Sequence, residues 1–328
     1  MGPTVASMPQ LLRPRRTWSL ALAVALIAVG SQLAAQTTGS LVRQIIGGPG
    51  LDIDVTLSAD GKQFAYASSR GGTLEIWMRS VDGGPLHQVT TASANSADRY
   101  PNFTADGRSM IFQSDRGGGV RNIWMVELGS RALAQLTTFP DGGASHPALS
   151  PDGKSVCFTR TTAVGSVAIW VVGIDGRDAR ELTMGVDCAW MRDGRIVFSR
   201  PSDLQNPLRY DQWIIGADGK GGRALTTTAQ PWSRNPVPSP DGRWLVYTAY
   251  EVAPSGDIRE VSGGFMIDPS LRTTIWLASL TEPDRPHRQL VSGGGFNSYP
   301  TWTKNGRNLM FTSTRSGSAD VWSVEVIP

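Results

Sequence analysis

The chain has 328 residues, of which 40% are hydrophobic and 18% charged, with 37 Gly, 21 Pro and 11 Trp. This composition excludes a disordered or low-complexity protein and is typical of a turn-rich fold with an aromatic core. The formal net charge of +3 falls to zero without the three arginines of the N-terminal segment. A neutral chain lacks the basic surface that nucleic-acid binding requires, so that class of function is excluded.

Residues 1–35 differ in composition from the rest of the chain. Three arginines precede an apolar run from Trp18 to Val29, and small residues follow as far as Ala35. This order predicts a secretory signal peptide that is cleaved after Ala35, and a mature protein that is periplasmic or secreted and has no transmembrane segment. An uncleaved anchor is the alternative, although the run is shorter than the roughly 20 residues that cross a bilayer.

A turn of the type Ser-Pro-Asp-Gly recurs six times along the chain. Pro fixes φ at the second turn position, Asp accepts from nearby N–H groups, and Gly supplies the positive φ that closes a hairpin. The turns are 41 to 64 residues apart, and six units of about 45 residues predict a β-propeller. They lie at 58–61, 104–107, 150–153, 191–194, 239–242 and 303–306.

Each unit repeats the same order of four strands, and the third strand carries a tryptophan. A large aromatic side chain at a fixed place in each unit is typical of blades that pack face to face, so we interpret these residues as core. A ligand-binding aromatic cluster is the less favoured alternative. The six are Trp77, Trp124, Trp170, Trp213, Trp276 and Trp322.

The sixth unit has no fourth strand of its own, because the chain ends shortly after the Trp322 strand. Residues 41–46 read as a fourth strand that precedes the first unit, and we expect this strand to pair with the last blade. Such pairing closes the ring and removes the open sheet edges. The predicted fold is therefore an all-β, six-bladed antiparallel β-propeller of residues 36–328, closed by an N-terminal strand. Its blades lie near 55–91, 100–138, 146–184, 187–227, 235–292, and 299–328 with 41–46.

The sequence contains two cysteines, Cys157 and Cys188, which are too few to stabilise a scaffold by disulfides. In the repeat, Cys157 aligns with Ala65, Ile111 and Val246. This alignment predicts a buried reduced thiol in preference to a disulfide.

Together with the repeated turn, the Ser-x-Arg-x-Gly loop at 68–72 and 313–317 and the Ile-Trp and Leu-Thr strands resemble the TolB-like β-propeller repeat. The resemblance covers about residues 41–327. Full TolB proteins are periplasmic partners in the bacterial envelope and carry an additional α/β domain before the propeller; this sequence passes from the signal segment almost directly into the first blade. The resemblance implies a non-enzymatic binding scaffold of the cell envelope with a protein or peptide partner.

A ring of candidate binding residues follows from the repeat register. Four residues before each turn stands a polar or aromatic residue, usually followed by Pro, and the six positions should meet at the mouth of the central channel. Such a ring could bind a small ligand or a cation such as calcium. The alternative is that the X-Pro pairs only set the entry of each inner strand. The residues are Asp54, Tyr100, His146, Asp187, Asn235 and Tyr299.

The fifth unit contains an insertion of roughly 17 residues between its second and third strands. Long loops on rigid scaffolds are often functional, so we predict a flap or partner-contact loop on the same face as the ring. A tolerated insertion without function is the alternative. The candidate contact residues are Glu251, Asp257, Arg259, Phe265 and Met266.

The sequence contains no strong candidate for a catalytic site. The three histidines at 87, 146 and 287 do not have zinc-site spacing, and the sequence contains no Gly-x-Ser-x-Gly elbow. We therefore predict a monomeric non-enzyme with no resident metal or other cofactor. A small-ligand-binding protein, or a hydrolase or lyase that uses the channel mouth, is the alternative.

Overall fold

The structure is a computed structural model that describes Gly2 and residues 41–93, 95–203, 206–225, 232–251 and 271–326. These residues form β-strands and turns, and no helix occurs among them. Consequently no helix in the described chain is long and apolar enough to cross a membrane. The predicted signal peptide lies outside the described residues.

The strands are short, and most have six or seven residues. In chain order they are β1 (Arg43–Ile46), β2 (Asp52–Leu57), β3 (Gln63–Ser68), β4 (Glu75–Ser80), β5 (His87–Gln88), β6 (Asp98–Phe103), β7 (Ser109–Ser114), β8 (Asn122–Glu127), β9 (Leu133–Gln135), β10 (Gly143–Leu149), β11 (Ser155–Thr161), β12 (Val167–Gly173), β13 (Arg180–Met184), β14 (Val186–Trp190), β15 (Ile196–Asp203), β16 (Asn206–Ile215), β17 (Arg223–Ala224), β18 (Ser233–Pro238), β19 (Trp244–Tyr250), β20 (Thr273–Ser279), β21 (Arg288–Val291), β22 (Asn297–Trp302), β23 (Asn308–Ser313) and β24 (Asp320–Glu325).

Six four-stranded antiparallel sheets make up the fold, which confirms the predicted six-bladed propeller. Blades 1 to 5 each contain four consecutive strands, starting with β2, β6, β10, β14 and β18. Blade 6 contains β22, β23 and β24, and β1 completes it by pairing with β24, Arg43 opposite Ser323. The prediction that the N-terminal strand closes the ring is therefore confirmed.

The repeated turn is a self-contained hydrogen-bonded unit. In blade 3, Ser150 Oγ donates to Asp152 Oδ1 at 2.6 Å, and the Lys154 N–H donates to the same oxygen at 3.0 Å. The hydrogen bond from Ser150, with that from the Lys154 backbone, lowers the pKa of Asp152. Gly153 has a φ of 71°, which favours glycine. The turn Asp thus serves the backbone, as its repetition suggested.

The core lies between neighbouring blades. In each blade the tryptophan of the third strand is paired across the sheet with an aromatic residue that is fully buried, such as Phe112 opposite Trp124 and Phe311 opposite Trp322. The tryptophans are half-buried and pack against the interblade clusters. They are core residues, as predicted, because their apolar surface is used within the fold.

The Ser-x-Arg loop covers the tryptophan of its own blade. Arg70 lies 5.3 Å from the ring of Trp77, and its Nη2 donates to Asp52 Oδ1 at 2.9 Å. Blade 6 repeats the arrangement with Arg315, Trp322 and the amide of Asn297. The motif therefore serves packing: one arginine joins the first and third strands of a blade by an ionic or polar contact and a cation–π contact.

Candidate functional site: the channel ring

The six ring residues share a backbone conformation that is rare for non-glycine residues. Their φ values are all between 52° and 57°, in the left-handed region. At each of them the pairing of the first and second strands of the blade shifts register, as between Ile53 and Thr56 in blade 1. One extra residue is thus accommodated as a β-bulge. Bulges re-aim side chains, and the repetition of this one places all six side chains around one channel.

Two of the ring residues are carboxylates, and each is bound by an arginine of the following blade. Asp54 receives hydrogen bonds from Arg99 Nε at 2.8 Å and from Nη2 at 3.0 Å. Asp187 receives the same two from Arg234, at 2.5 Å and 3.2 Å. All four side chains are at least 90% buried. Both pairs are bidentate, the geometry in which an arginine best satisfies a carboxylate.

The backbone N–H groups near the two carboxylates also make similar hydrogen bonds. The Asp187 N–H donates to Thr159 Oγ1 of the preceding blade at 3.0 Å, and the Asn235 N–H donates to Asp187 Oδ2 at 3.3 Å. In blade 1 the Asp54 N–H donates to Thr312 Oγ1 at 3.4 Å. Each ring Asp therefore links three consecutive blades.

The remaining wall of the channel is aromatic. Tyr100 and His146 have ring centroids 4.0 Å apart, and Tyr299 lies 5.5 Å from Tyr100. Tyr100 Oη donates to Tyr299 Oη at 3.2 Å, which joins blades 2 and 6. Asn235 occupies the corresponding place in blade 5 and accepts a hydrogen bond from Ser298 Oγ at 3.0 Å.

His146 is close to Asp187 but is held in its neutral form. Burial lowers the pKa of His146 to about 4, because the loss of hydration outweighs the attraction of Asp187, and Arg234 acts in the same direction as burial. The distance from His146 Nε2 to Asp187 Oδ1 is 3.8 Å. Burial acts to raise the pKa of Asp187, but Arg234 outweighs it and holds that pKa below its ordinary value. At neutral pH the pair is an uncharged imidazole beside an arginine-bound carboxylate.

A cavity of about 150 Å³ lies in the channel against this ring. The residues that line it are the ring residues and those one or two places after them, including Thr56, Asn102, Cys188 and Thr301. The lining combines phenol, imidazole, amide and proline groups, and its two carboxylates are already paired.

The structure brings all six predicted ring residues together around one cavity, and it describes the long connection of blade 5 only at its two ends. That connection leaves β19 after Tyr250 and enters β20 at Thr273, at the end of the strands opposite the turns. Residues 252–270 of the insertion lie outside the described residues, so its place on the same face as the ring stays a prediction. Glu251 is exposed, and its N–H donates to the carbonyl oxygen of Arg272 at 3.0 Å. Asp257, Arg259, Phe265 and Met266 lie outside the described residues, so a partner contact there stays a prediction.

Sequence reasoning missed Arg99 and Arg234, the residues that hold the ring carboxylates. A signal was present: the residue before each ring position is Ile, Arg, Ser, Val, Arg and Ser in blades 1 to 6. The pattern repeats after three blades, and in both halves the arginine follows the blade that carries Asp. Sequence reasoning also missed Cys188, which lines the cavity beside Asp187.

In the described part of the chain, no three His, Cys, Asp or Glu side chains are grouped so that they could hold a metal ion. The two ring carboxylates are the natural cation ligands of the channel, and each already binds a guanidinium through both oxygens. A calcium ion would have to displace an arginine from the ring.

Residues 30–187 match the family model described as the TolB beta propeller domain. The first three blades of the propeller therefore contain TolB-like repeats. No curated protein sequence matches this chain significantly. Among solved structures, a protein assigned as TolB from Agrobacterium tumefaciens aligns with this chain at a TM-score of 0.63 and 18% identity, over 88% of this chain and 97% of that one.

Other similar folds include a second TolB and an enzyme. TolB from Acinetobacter baumannii aligns at a TM-score of 0.57 and 15% identity, over 93% of this chain and 69% of that one. The oligogalacturonate lyase of Vibrio parahaemolyticus aligns at a TM-score of 0.56 and 12% identity, over 89% of this chain and 95% of that one. At these identities the likeness is one of fold, and the function has to be argued from the site.

Proposed function

We propose that this TolB-like propeller is an exported, monomeric and non-catalytic binding protein of the cell envelope that receives a protein or peptide segment in its channel recess. The observation that carries the proposal is the pairing of both ring carboxylates with buried arginines. This pairing leaves a recess without net charge, lined by aromatic, amide and proline side chains. Such a lining suits the side chains and backbone of a peptide.

The paired carboxylates also argue against the ring as a catalytic centre. General acid–base catalysis needs a group whose pKa is near the working pH and whose proton can be exchanged. Asp187 has a lowered pKa and accepts hydrogen bonds at both oxygens, and the pKa of His146 is about 4. Neither is tuned for proton transfer at neutral pH, whereas both are suited to a fixed, neutral binding wall.

A small-ligand site, or a hydrolase or lyase centre, is the second candidate, and His146 is the observation that favours it. A neutral imidazole in a recess can accept a proton or bind a metal ion. The test is a thermal-melt titration with ZnCl₂ and with uronic-acid oligosaccharides, on the native chain and on His146→Gln. A ligand-induced rise in melting temperature that His146→Gln abolishes would favour the second candidate over a peptide site.

Site-specific photo-crosslinking in the native envelope tests the first proposal. A photoreactive residue is placed at Thr56 or Thr301, which line the cavity, and at the exposed Lys220 as a control. We expect the same protein adduct from both channel positions and none from Lys220. The proposal fails if the folded, exported protein gives no adduct from the channel, or if all three positions give the same adducts.

A further inference from the structure

The two cysteines of the chain meet between blades 3 and 4. Cys157 lies on β11 and Cys188 on β14, and both are reduced and buried. They belong to one apolar cluster with Ile169, Ile196 and Phe198. The Cys157 side chain is near enough to Cys188 to contribute, after burial, to raising the pKa of the Cys188 thiol. The sequence predicted a buried thiol at 157, but not that its neighbour would be the only other thiol of the chain.

The two thiols differ in their access to solvent. Cys188 has 6% of its surface exposed and lines the channel cavity, whereas Cys157 is completely buried behind it. The cavity of about 150 Å³ can hold a few water molecules, since one water occupies roughly 30 Å³ in the liquid. A small oxidant can therefore reach Cys188 through the cavity.

We propose that Cys188 and Cys157 form an oxidative modification site, in which a hydroperoxide that enters the channel joins blades 3 and 4 through a disulfide. In the first step the Cys188 thiolate attacks hydrogen peroxide, the O–O bond breaks, and Cys188 becomes a sulfenic acid with release of hydroxide. In the second step the Cys157 thiol attacks the sulfenic sulfur, the disulfide forms, and water leaves. Overall, two thiols are oxidised and one peroxide is reduced to two waters.

The environment sets the rate and the consequence of this reaction. Burial, together with the neighbouring Cys157 thiol, raises the pKa of Cys188, so little thiolate is present at neutral pH and oxidation is slow.

Cys188 directly follows Asp187, which is held at a φ of 55° and bound by Arg234. A disulfide would fix the spacing of β11 and β14 at this point, so the redox state of the pair is expected to alter the ring. This inference does not depend on the ligand proposed for the channel.

Peroxide treatment of the full chain under native conditions tests the proposal, with peptide mass spectrometry as the readout. We expect a linked pair of peptides containing Cys157 and Cys188, formed roughly tenfold faster for each pH unit between 7 and 9 because the thiolate fraction rises in that proportion. The denatured chain serves as the positive control for thiol oxidation, and circular dichroism verifies that the native sample stays folded.

Two single variants separate the roles of the thiols. Cys157→Ser should accumulate a sulfenic acid at Cys188 that dimedone traps, whereas Cys188→Ser should leave Cys157 reduced under the same treatment. The proposal is wrong if both thiols of the folded native chain stay reduced, if Cys188 is oxidised without linkage to Cys157, or if Cys157 reacts first. The measurement on the native chain decides the matter even if either variant fails to fold.

Discussion

The ring consists of two halves that the chain builds with the same parts. Blades 1 to 3 contribute the Asp54–Arg99 pair, and blades 4 to 6 contribute the Asp187–Arg234 pair. In both halves a threonine of the preceding blade accepts the N–H of the Asp. The supporting contacts therefore repeat after three blades, which indicates that they are scaffold and that recognition depends on the other positions.

The side chains that face the channel differ between the halves. Tyr100 in the first half corresponds to Asn235 in the second, and His146 corresponds to Tyr299. The first half thus presents a phenol and an imidazole where the second presents an amide and a phenol. A ligand that contacts all four of these side chains must therefore be asymmetric, as a peptide is.

The largest expected effect is the loss of a ring carboxylate. Asp54→Ala and Asp187→Ala should each lower the free energy of unfolding by about 3–5 kcal/mol, because a buried guanidinium is left without its partner. Urea unfolding followed by tryptophan fluorescence measures this. Asp152→Ala, which removes an exposed carboxylate of a turn, is the control, and its free energy of unfolding should fall much less.

A second variant distinguishes loss of the charge pair from loss of packing. Asp187→Leu combined with Arg234→Met removes both charges and should recover most of the stability that Asp187→Ala loses. The two Asp→Ala variants can also be compared with each other. If their losses in free energy of unfolding differ by more than about 2 kcal/mol, which is the width of the expected range, the two halves are not equivalent scaffolds.

The next effect concerns His146, whose place in the second half is taken by Tyr299 and not by a histidine. Its folded pKa of about 4 lies below the unfolded value near 6.5. The folded state therefore binds fewer protons, so the stabilising contribution is complete above about pH 7 and is lost as the pH falls through 6.5 towards 4. We expect the native chain to lose about 2–3 kcal/mol more than His146→Gln between pH 7.5 and 4.5.

Urea unfolding at the two pH values gives this difference. The matched control is His87→Gln, which replaces an exposed histidine of the first blade. Identical pH dependence in the native chain and in His146→Gln would contradict the interpretation of His146 as a buried neutral imidazole.

The smallest effect concerns the hydrogen bond that crosses between the halves. Tyr100→Phe and Tyr299→Phe should each cost about 0.5–1.5 kcal/mol, since each removes one partner of the same Oη to Oη contact at 3.2 Å. The double variant should cost no more than the larger single change. Additive costs in a double-mutant cycle would show that the two hydroxyls act independently.

The turn register was sufficient to predict the fold and the ring membership. Counting back from Asp60 or Asp152 locates Asp54 and His146 without knowledge of the structure, because the repeat fixes the position in every blade. The ring closure followed from the missing strand after Trp322. These features are local and periodic, and a single sequence contains them.

The partners of the ring residues were not predicted, because they depend on contacts between blades. Asp54 and Arg99 are 45 residues apart, and the sequence spacing does not show that their side chains converge. The positive φ at all six ring positions was also missed: Pro after Tyr100 or His146 indicates an extended residue, whereas the bulge requires the left-handed region.

The pairing of β1 with β24 has a consequence for how the protein folds. Gln44 lies opposite Trp322 and donates to Asp320 Oδ2 at 3.0 Å, although Gln44 and Asp320 are 276 positions apart in the sequence. The first described strand to be synthesised therefore has no partner until the last one has been made, whereas every other blade can assemble from neighbouring segments. Since loop closure costs entropy that only later contacts repay, joining these two strands is expected to be the late, slow event of folding. Until then, β24 offers an unpaired edge to other chains.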